Sequence, residues 1–267
     1  MTPGPVTASA RGRCARALAT GAAMAMLALV PASAGAAGTP AAGTSGSGAT
    51  ATTPAATPRK DVVLSNETTV TTWTIANVGG AIRAQPSASS ARMASLRFQT
   101  SDGFLQSYIL LRERFTSSGA WVQVRIPGRP NGRIGWVQRS LLAGFQKVHT
   151  ELVVNRAAST LVLYRNGHVV YRAPVGTGTP GTPTPAGHFW ITESFASTDP
   201  VYGPWAFGTS DFSTISDWPG GGIVGLHGTN EPALVPGHPS HGCIRLHNRD
   251  DHALIKLVPV GTPLLIL

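Results

Sequence analysis

Asn166-Gly167 lies between the apolar runs Leu161-Val162-Leu163-Tyr164 and Val169-Val170-Tyr171, and it restricts the fold more than any other feature of the chain. An Asn-Gly pair in that setting is the strongest short signal for a two-residue β-hairpin, because both central residues of the favoured turn need positive φ. Two further segments rich in β-branched and apolar residues, Glu151–Asn155 and the closing Leu264–Leu267, read as strands, and the second strand of the hairpin runs to Pro174. Gly178–Gly187 is broken by Pro and Gly and reads as a loop. One short helix is expected over Asp250–Val258, with Asn248 as its cap and two acids in the first turn, where the helix dipole favours them. Ser194–Gly222 is long, aromatic and turn-rich. It reads as a loop of the kind that binds or covers a site.

The preceding segment, 62–145, is also expected to be β. Thr68–Ile75, Tyr108–Leu111, Trp121–Ile126 and Arg133–Gln138 are β-branched and aromatic, separated by Gly, Pro and Asn. Before it, residues 35–60 are mostly Ala, Gly, Thr, Ser and Pro, too poor in apolar surface to offset chain entropy, and they read as a disordered tether. Residues 1–34 have the pattern of a signal peptide. Arg11, Arg13 and Arg16 precede the apolar stretch Ala17–Val30, and Ala32-Ser33-Ala34 offers a cleavage site. That apolar stretch is shorter than the ~20 residues a membrane span needs. Export to the cell wall, or to the outer face of the membrane, is the expectation.

Export gives the cysteines their meaning. Of the two, Cys14 lies inside the leader, so Cys243 would stand alone in the mature chain. Secreted proteins that use cysteine for stability carry it in pairs. A single Cys with His elsewhere in an exported enzyme is a candidate nucleophile and base. His227 lies sixteen positions upstream, and His241 is two positions before the thiol, so both compete for the role of base. Closeness in sequence does not decide between them. Gly242 lets the backbone approach a substrate, leaving the Gly242 and Cys243 amides as candidate oxyanion donors.

The ordered set His227-Gly228-Thr229 and Ser240-His241-Gly242-Cys243-Ile244-Arg245 closely resembles the signature of the YkuD-type L,D-transpeptidases, which cross-link peptidoglycan. Leu161–Tyr164 with Gly167, Val175-Gly176-Thr177 with Thr182–Gly187, and Val260-Gly261-Thr262-Pro263 extend the resemblance over roughly 148–267. Ile82–Ser87 and the block Trp121–Val137 resemble, more faintly, pieces of bacterial SH3-like wall-binding modules. The architecture implied is mainly β: a small SH3-like β domain at 62–145, then a β-sandwich-like catalytic domain with a short helix at 148–267.

The resemblance also implies roles. Cys243 would be the nucleophile, forming a thioester with a donor tetrapeptide stem and releasing its terminal D-Ala. His227 would be the proton donor and acceptor, oriented by a backbone carbonyl near Gly228. His241 would line the site. The 194–222 region would form a lid, with Tyr202, Trp205 and Phe207 on its surface unless they pack in the core. Tyr202, Ser240 and Arg245 are the candidate substrate contacts. Arg245 could take a substrate carboxylate by a bidentate contact, or form a structural ion pair. Ser240 supports the loop rather than attacks, because a thiolate beside it is the better nucleophile.

The partners implied are peptidoglycan stem peptides and the wall, in peptidoglycan biosynthesis and hence cell shape, with oligomeric state left open. No cofactor is expected. The histidines near Cys243 show none of the paired-ligand spacings of a zinc site. The formal net charge of +9 is scattered, and nothing in the chain is a nucleic-acid motif. Two other readings stay open. One is a hydrolase of the same fold, an L,D-carboxypeptidase or an enzyme that detaches wall proteins. The other is a non-catalytic wall-binding protein, which the presence of His227, Gly242 and Cys243 argues against.

Overall fold

A computed structural model describes residues 61–215, 217 and 219–267. The expected leader and tether, and Cys14, lie outside these residues. The described chain is mainly β, with two sheets and a single α-helix among the described residues.

The first sheet contains β1 (Val62–Val63), β2 (Thr71–Ile75), β3 (Ala81–Arg83), β4 (Arg92–Ser95), β5 (Ser107–Thr116), β6 (Gly119–Arg125), β7 (Ile134–Gln138) and β8 (Gln146–Val148). Its order is β4-β3-β7-β6-β5-β2-β8, with β1 paired to β5. Ile82, Tyr108, Leu110, Val122, Val124 and Val137 fill its core. β2 starts later than its sequence suggests, because the Asn66 carboxamide oxygen accepts the N–H groups of Thr68, Thr69 and Val70. That local capture diverts the backbone from the strand ladder. β5 runs past Leu111 because its far half pairs with β6 through a tight turn, down to Thr116 opposite Gly119.

The second sheet follows the order β11-β10-β9-β18-β13-β14-β15-β17-β12-β16. Its strands are β9 (Thr150–Asn155), β10 (Thr160–Arg165), β11 (His168–Pro174), β12 (Gly176–Gly178), β13 (Gly187–Ala196), β14 (Trp205–Phe212), β15 (Ile223–His227), β16 (Gly237–Ser240), β17 (Ile244–Arg245) and β18 (Pro263–Ile266). Asn166 (φ 51°) and Gly167 (φ 78°) make the turn between β10 and β11. β13 serves both halves of the sheet. Residues 187–190 pair with β18, and those from Ile191 onward pair with β14. One core therefore draws on both halves, with Leu152, Leu161 and Leu264 meeting Phe207, Leu226 and Ile244.

The 194–222 segment is not one long loop, since β13 reaches Ala196 and β14 occupies 205–212. Phe207 is fully buried in the core, and Trp205 packs against it, its indole N–H donating to Ser194 Oγ at 2.8 Å. Neither forms a lid surface. The helix, α1, spans Asn248–Leu254, with His247 rather than Asn248 at the cap position.

The first sheet packs on the second through specific contacts. Trp190 Nε1 donates to Ser107 Oγ at 3.0 Å, Thr100 donates to Glu193 at 2.7 Å, and Phe104 stacks on Phe195 with centroids 5.3 Å apart. The β6–β7 connection reaches furthest. Arg129 donates to the carbonyls of Ser213, Ile215 and Gly221, and Asn131 bonds Asp211 and the Phe212 backbone.

Candidate active site

The register of two short parallel strands makes the site. β15 and β17 pair with Leu226 beside Ile244 and His227 beside Arg245. Cys243, just before β17, is thereby brought next to Gly225, and the Gly225 N–H donates to Sγ at 3.4 Å. His227 ends β15. A Cβ added to Gly225 would lie 3.4 Å from His227 Cδ2 and 3.9 Å from Cys243 Sγ. Imidazole and thiol thus both lie close to one glycine, although they stand sixteen positions apart in the chain.

The turn that presents the thiol is fixed from within. Ser240, buried, donates its hydroxyl to the Cys243 carbonyl at 2.6 Å and accepts the Gly242 N–H at 3.1 Å. Thr184 donates to the Gly242 carbonyl at 2.7 Å. Gly242 adopts φ 127°, and a Cβ there would crowd Ser213 at 3.2–3.3 Å. The Ser240 hydroxyl is therefore spent on the loop. The Gly242 amide, a candidate oxyanion donor, is engaged by that hydroxyl in this conformation.

His227 is 3% exposed. Its Nδ1 lies 2.6 Å from the Gly228 carbonyl oxygen. A carbonyl can only accept, so Nδ1 carries the proton and Nε2 is left with the lone pair. Burial pushes the imidazole pKa down to about 4, against the Gly228 contact and with help from the Arg245 charge. Cys243 as a residue is half-buried on the cleft wall, but the atoms packed around Sγ push its thiol pKa up. The Gly225 N–H and Arg245 oppose that shift, and Asp211 adds to it. Both shifts favour a resting pair of neutral thiol and neutral imidazole.

The pair opens on a cleft of about 460 Å³ that is partly continuous with solvent. Val201, Tyr202, Ser213, Ile223, His241 and Arg245 are among its lining residues. The Tyr202 ring meets the His227 ring edge-on, with centroids 4.9 Å apart at 80°. His241 is exposed on the cleft, and its carbonyl accepts from Ser213 Oγ at 3.2 Å. Arg245 Nη1 lies 2.6 Å from Glu231 Oε2, an ion pair that already occupies part of the guanidinium. No group of three or more His, Cys, Asp or Glu among the described residues is disposed to hold a metal ion.

Several contributors were not apparent in the sequence. Gly225 carried a signal, because an isolated glycine inside a strand often marks a close approach. Thr184, Ser213 and Asp211 carried none, since their roles depend on segments brought together only by the sheet.

Residues 149–266 match the family model described as YkuD, L,D-transpeptidase catalytic domain. Among solved structures, the chain is similar to an L,D-transpeptidase from Enterococcus faecium bearing a cysteine-to-serine substitution. The identity is 24%, over 44% of this chain and 49% of that one, with a TM-score of 0.37. It is also similar to L,D-transpeptidases from Mycobacterium smegmatis (16% identity, 55% of this chain and 90% of that one, TM-score 0.36) and Mycobacterium tuberculosis (14%, 55% and 90%, TM-score 0.38). The alignment spans about half the length of the Enterococcus protein. No curated protein matches the chain significantly.

Proposed function

We propose that this chain, whose residues 149–266 are a YkuD-type L,D-transpeptidase catalytic domain, is a peptidoglycan cross-linking enzyme that works through a thioester on Cys243. The observation that carries the reading is that His227 and Cys243 flank Gly225 on one cleft, with the imidazole tautomer set by the Gly228 carbonyl. A neutral imidazole with a free Nε2 is the form that can accept a thiol proton.

His227 Nε2 takes the Cys243 proton as Sγ attacks the carbonyl carbon that joins the terminal D-amino acid to the donor stem. The oxyanion that develops is met by the Cys243 N–H, joined by the Gly242 N–H once its contact with Ser240 opens. The C–N bond breaks, and the imidazolium returns its proton to the departing amine of the D-amino acid. The thioester that remains is attacked by an amine of a neighbouring stem. That amine gives its proton to His227, the C–S bond breaks, and the thiol is restored. Tyr202 would bound the donor site, and His241 and the unpaired part of Arg245 would face the peptide. The basic, apolar and small-residue pattern of residues 11–34 supports placing this chemistry outside the membrane, where stem peptides lie.

The test is product analysis by mass spectrometry after incubating the protein with a disaccharide-tetrapeptide. A cross-linked dimer with free D-Ala, lost in Cys243→Ala and His227→Ala, is the expected result. Tripeptide without dimer would mean a carboxypeptidase. No product and no adduct would favour a wall-binding role.

A further inference from the structure

We propose that Asn248 is a positioning residue that holds the His227 base in its working tautomer through the Gly228–Thr229 peptide group. This rests on the reading of His227 as the base. The Gly228 carbonyl that accepts the His227 Nδ1 proton at 2.6 Å belongs to the same peptide bond as the Thr229 N–H, which donates to Asn248 Oδ1 at 2.8 Å. A peptide group is planar and rigid. Fixing its N–H end therefore fixes the direction of its carbonyl. Hydrogen bonds in series also polarise one another, so a bond accepted from Thr229 makes the Gly228 oxygen a better acceptor for the imidazole. The carboxamide thus does, at one remove, what a buried carboxylate does in a Ser-His-Asp triad.

The surroundings are shaped around that oxygen. A Cβ on Gly203 would lie 2.6 Å from Asn248 Oδ1, and one on Gly228 would clash with the same atom. Two backbone segments thus approach the carboxamide as only glycines can. Gly203 follows Tyr202, whose ring packs on His227. The far side of the loop is tied as well, with Thr229 Oγ1 accepting the Glu231 N–H at 3.0 Å and Glu231 paired to Arg245. Asn248 stands in the first turn of α1, but its side chain caps no helix N–H. It serves the base loop instead.

The test compares Asn248→Ala, which removes the acceptor, with Asn248→Asp, which keeps one, in the full chain. The ¹⁵N NMR signals of the His227 ring report the tautomer without any substrate. The expected result is an Nδ1–H ring in the native protein and in Asn248→Asp, and a mixture of tautomers in Asn248→Ala. In Asn248→Ala, kcat falls roughly 10-fold, the scale for partners that orient an imidazole from outside, at little-changed KM. Should the alanine variant not fold, Asn248→Ser, too short to reach Thr229, takes its place. An unchanged tautomer in the variant that lacks the acceptor would overturn the proposal, whatever happens to the rate. If the native protein turns over no stem peptide while the ring signals change as expected, the functional reading fails and the positioning role stands.

Discussion

Gly225 and Cys243 are joined by a hydrogen bond from the glycine N–H to Sγ at 3.4 Å, and the same glycine lies beside the His227 ring. A methyl group at this position would touch the imidazole at 3.4 Å and the sulfur at 3.9 Å, both ordinary contacts. The backbone there needs no positive φ. Gly225→Ala is therefore expected to fold with its melting temperature nearly unchanged, yet to lose about 10²-fold in kcat, as small displacements of reacting groups do. Thermal melts and steady-state kinetics on the same preparation check both halves.

The neutral resting pair predicts how the thiol reacts with an alkylating agent. Burial raises the Cys243 pKa and lowers that of His227, and both shifts favour the neutral thiol and imidazole near neutrality. The iodoacetamide rate should climb about tenfold per pH unit from pH 6 to at least pH 8.5, following the thiolate fraction. A plateau beginning near pH 5 would mean a preformed ion pair.

Asp211 gives a prediction about stability. It is fully buried, with one oxygen accepting from Asn131 and the other without a partner among the described residues, and burial raises its pKa to about 8. Raised from an ordinary 3.8, this carboxyl leaves stability intact at low pH and erodes it as pH rises from about 4 towards 8, because only the unfolded chain ionises freely there. Asp211→Asn should therefore be more stable than the native chain at pH 7.5, by a few kcal/mol, and the two should converge near pH 4. Chemical denaturation at both pH values measures it. His227 works in the opposite sense. Its pKa of about 4, below 6.5, removes stability as pH falls through that window, so the Asp211 effect is best read in a His227→Ala background.

Arg129 links the first sheet to the wall of the cleft. Its guanidinium holds the carbonyls of Ser213, Ile215 and Gly221, and Ser213 lines the cleft while bonding the His241 carbonyl. Arg129→Ala is expected to raise KM for the stem peptide several-fold with a smaller effect on kcat. Amide exchange at residues 213–215 and 221–222 should quicken. Unchanged exchange would show that the wall holds without this contact.

Legibility in the sequence followed the range of each interaction. The hairpin at Asn166-Gly167 is fixed by two residues and their turn geometry, so the sequence states it directly. β2 starts later than strand propensity predicts because the Asn66 side chain captures three amides, a competition that propensity does not record. β14 is hidden because Thr209, Ser210 and Asp211 are buried polar residues whose bonding partners lie elsewhere in the fold. The sequence pattern pointed to Cys243 and His227. Their adjacency depends on the parallel pairing of β15 and β17, which no spacing along the chain reveals. Asn248 shows the same limit, since an asparagine before a helix suits a cap equally well as an acceptor for a distant amide.

Intact-mass spectrometry of the full chain shows whether Cys243 carries the acyl group. After brief exposure to a tetrapeptide stem, the protein should gain the mass of the donor less its terminal D-amino acid. Peptide mapping should place that mass on Cys243, and Cys243→Ala should gain nothing. An adduct on any other residue, or turnover that continues in Cys243→Ala, would contradict the account.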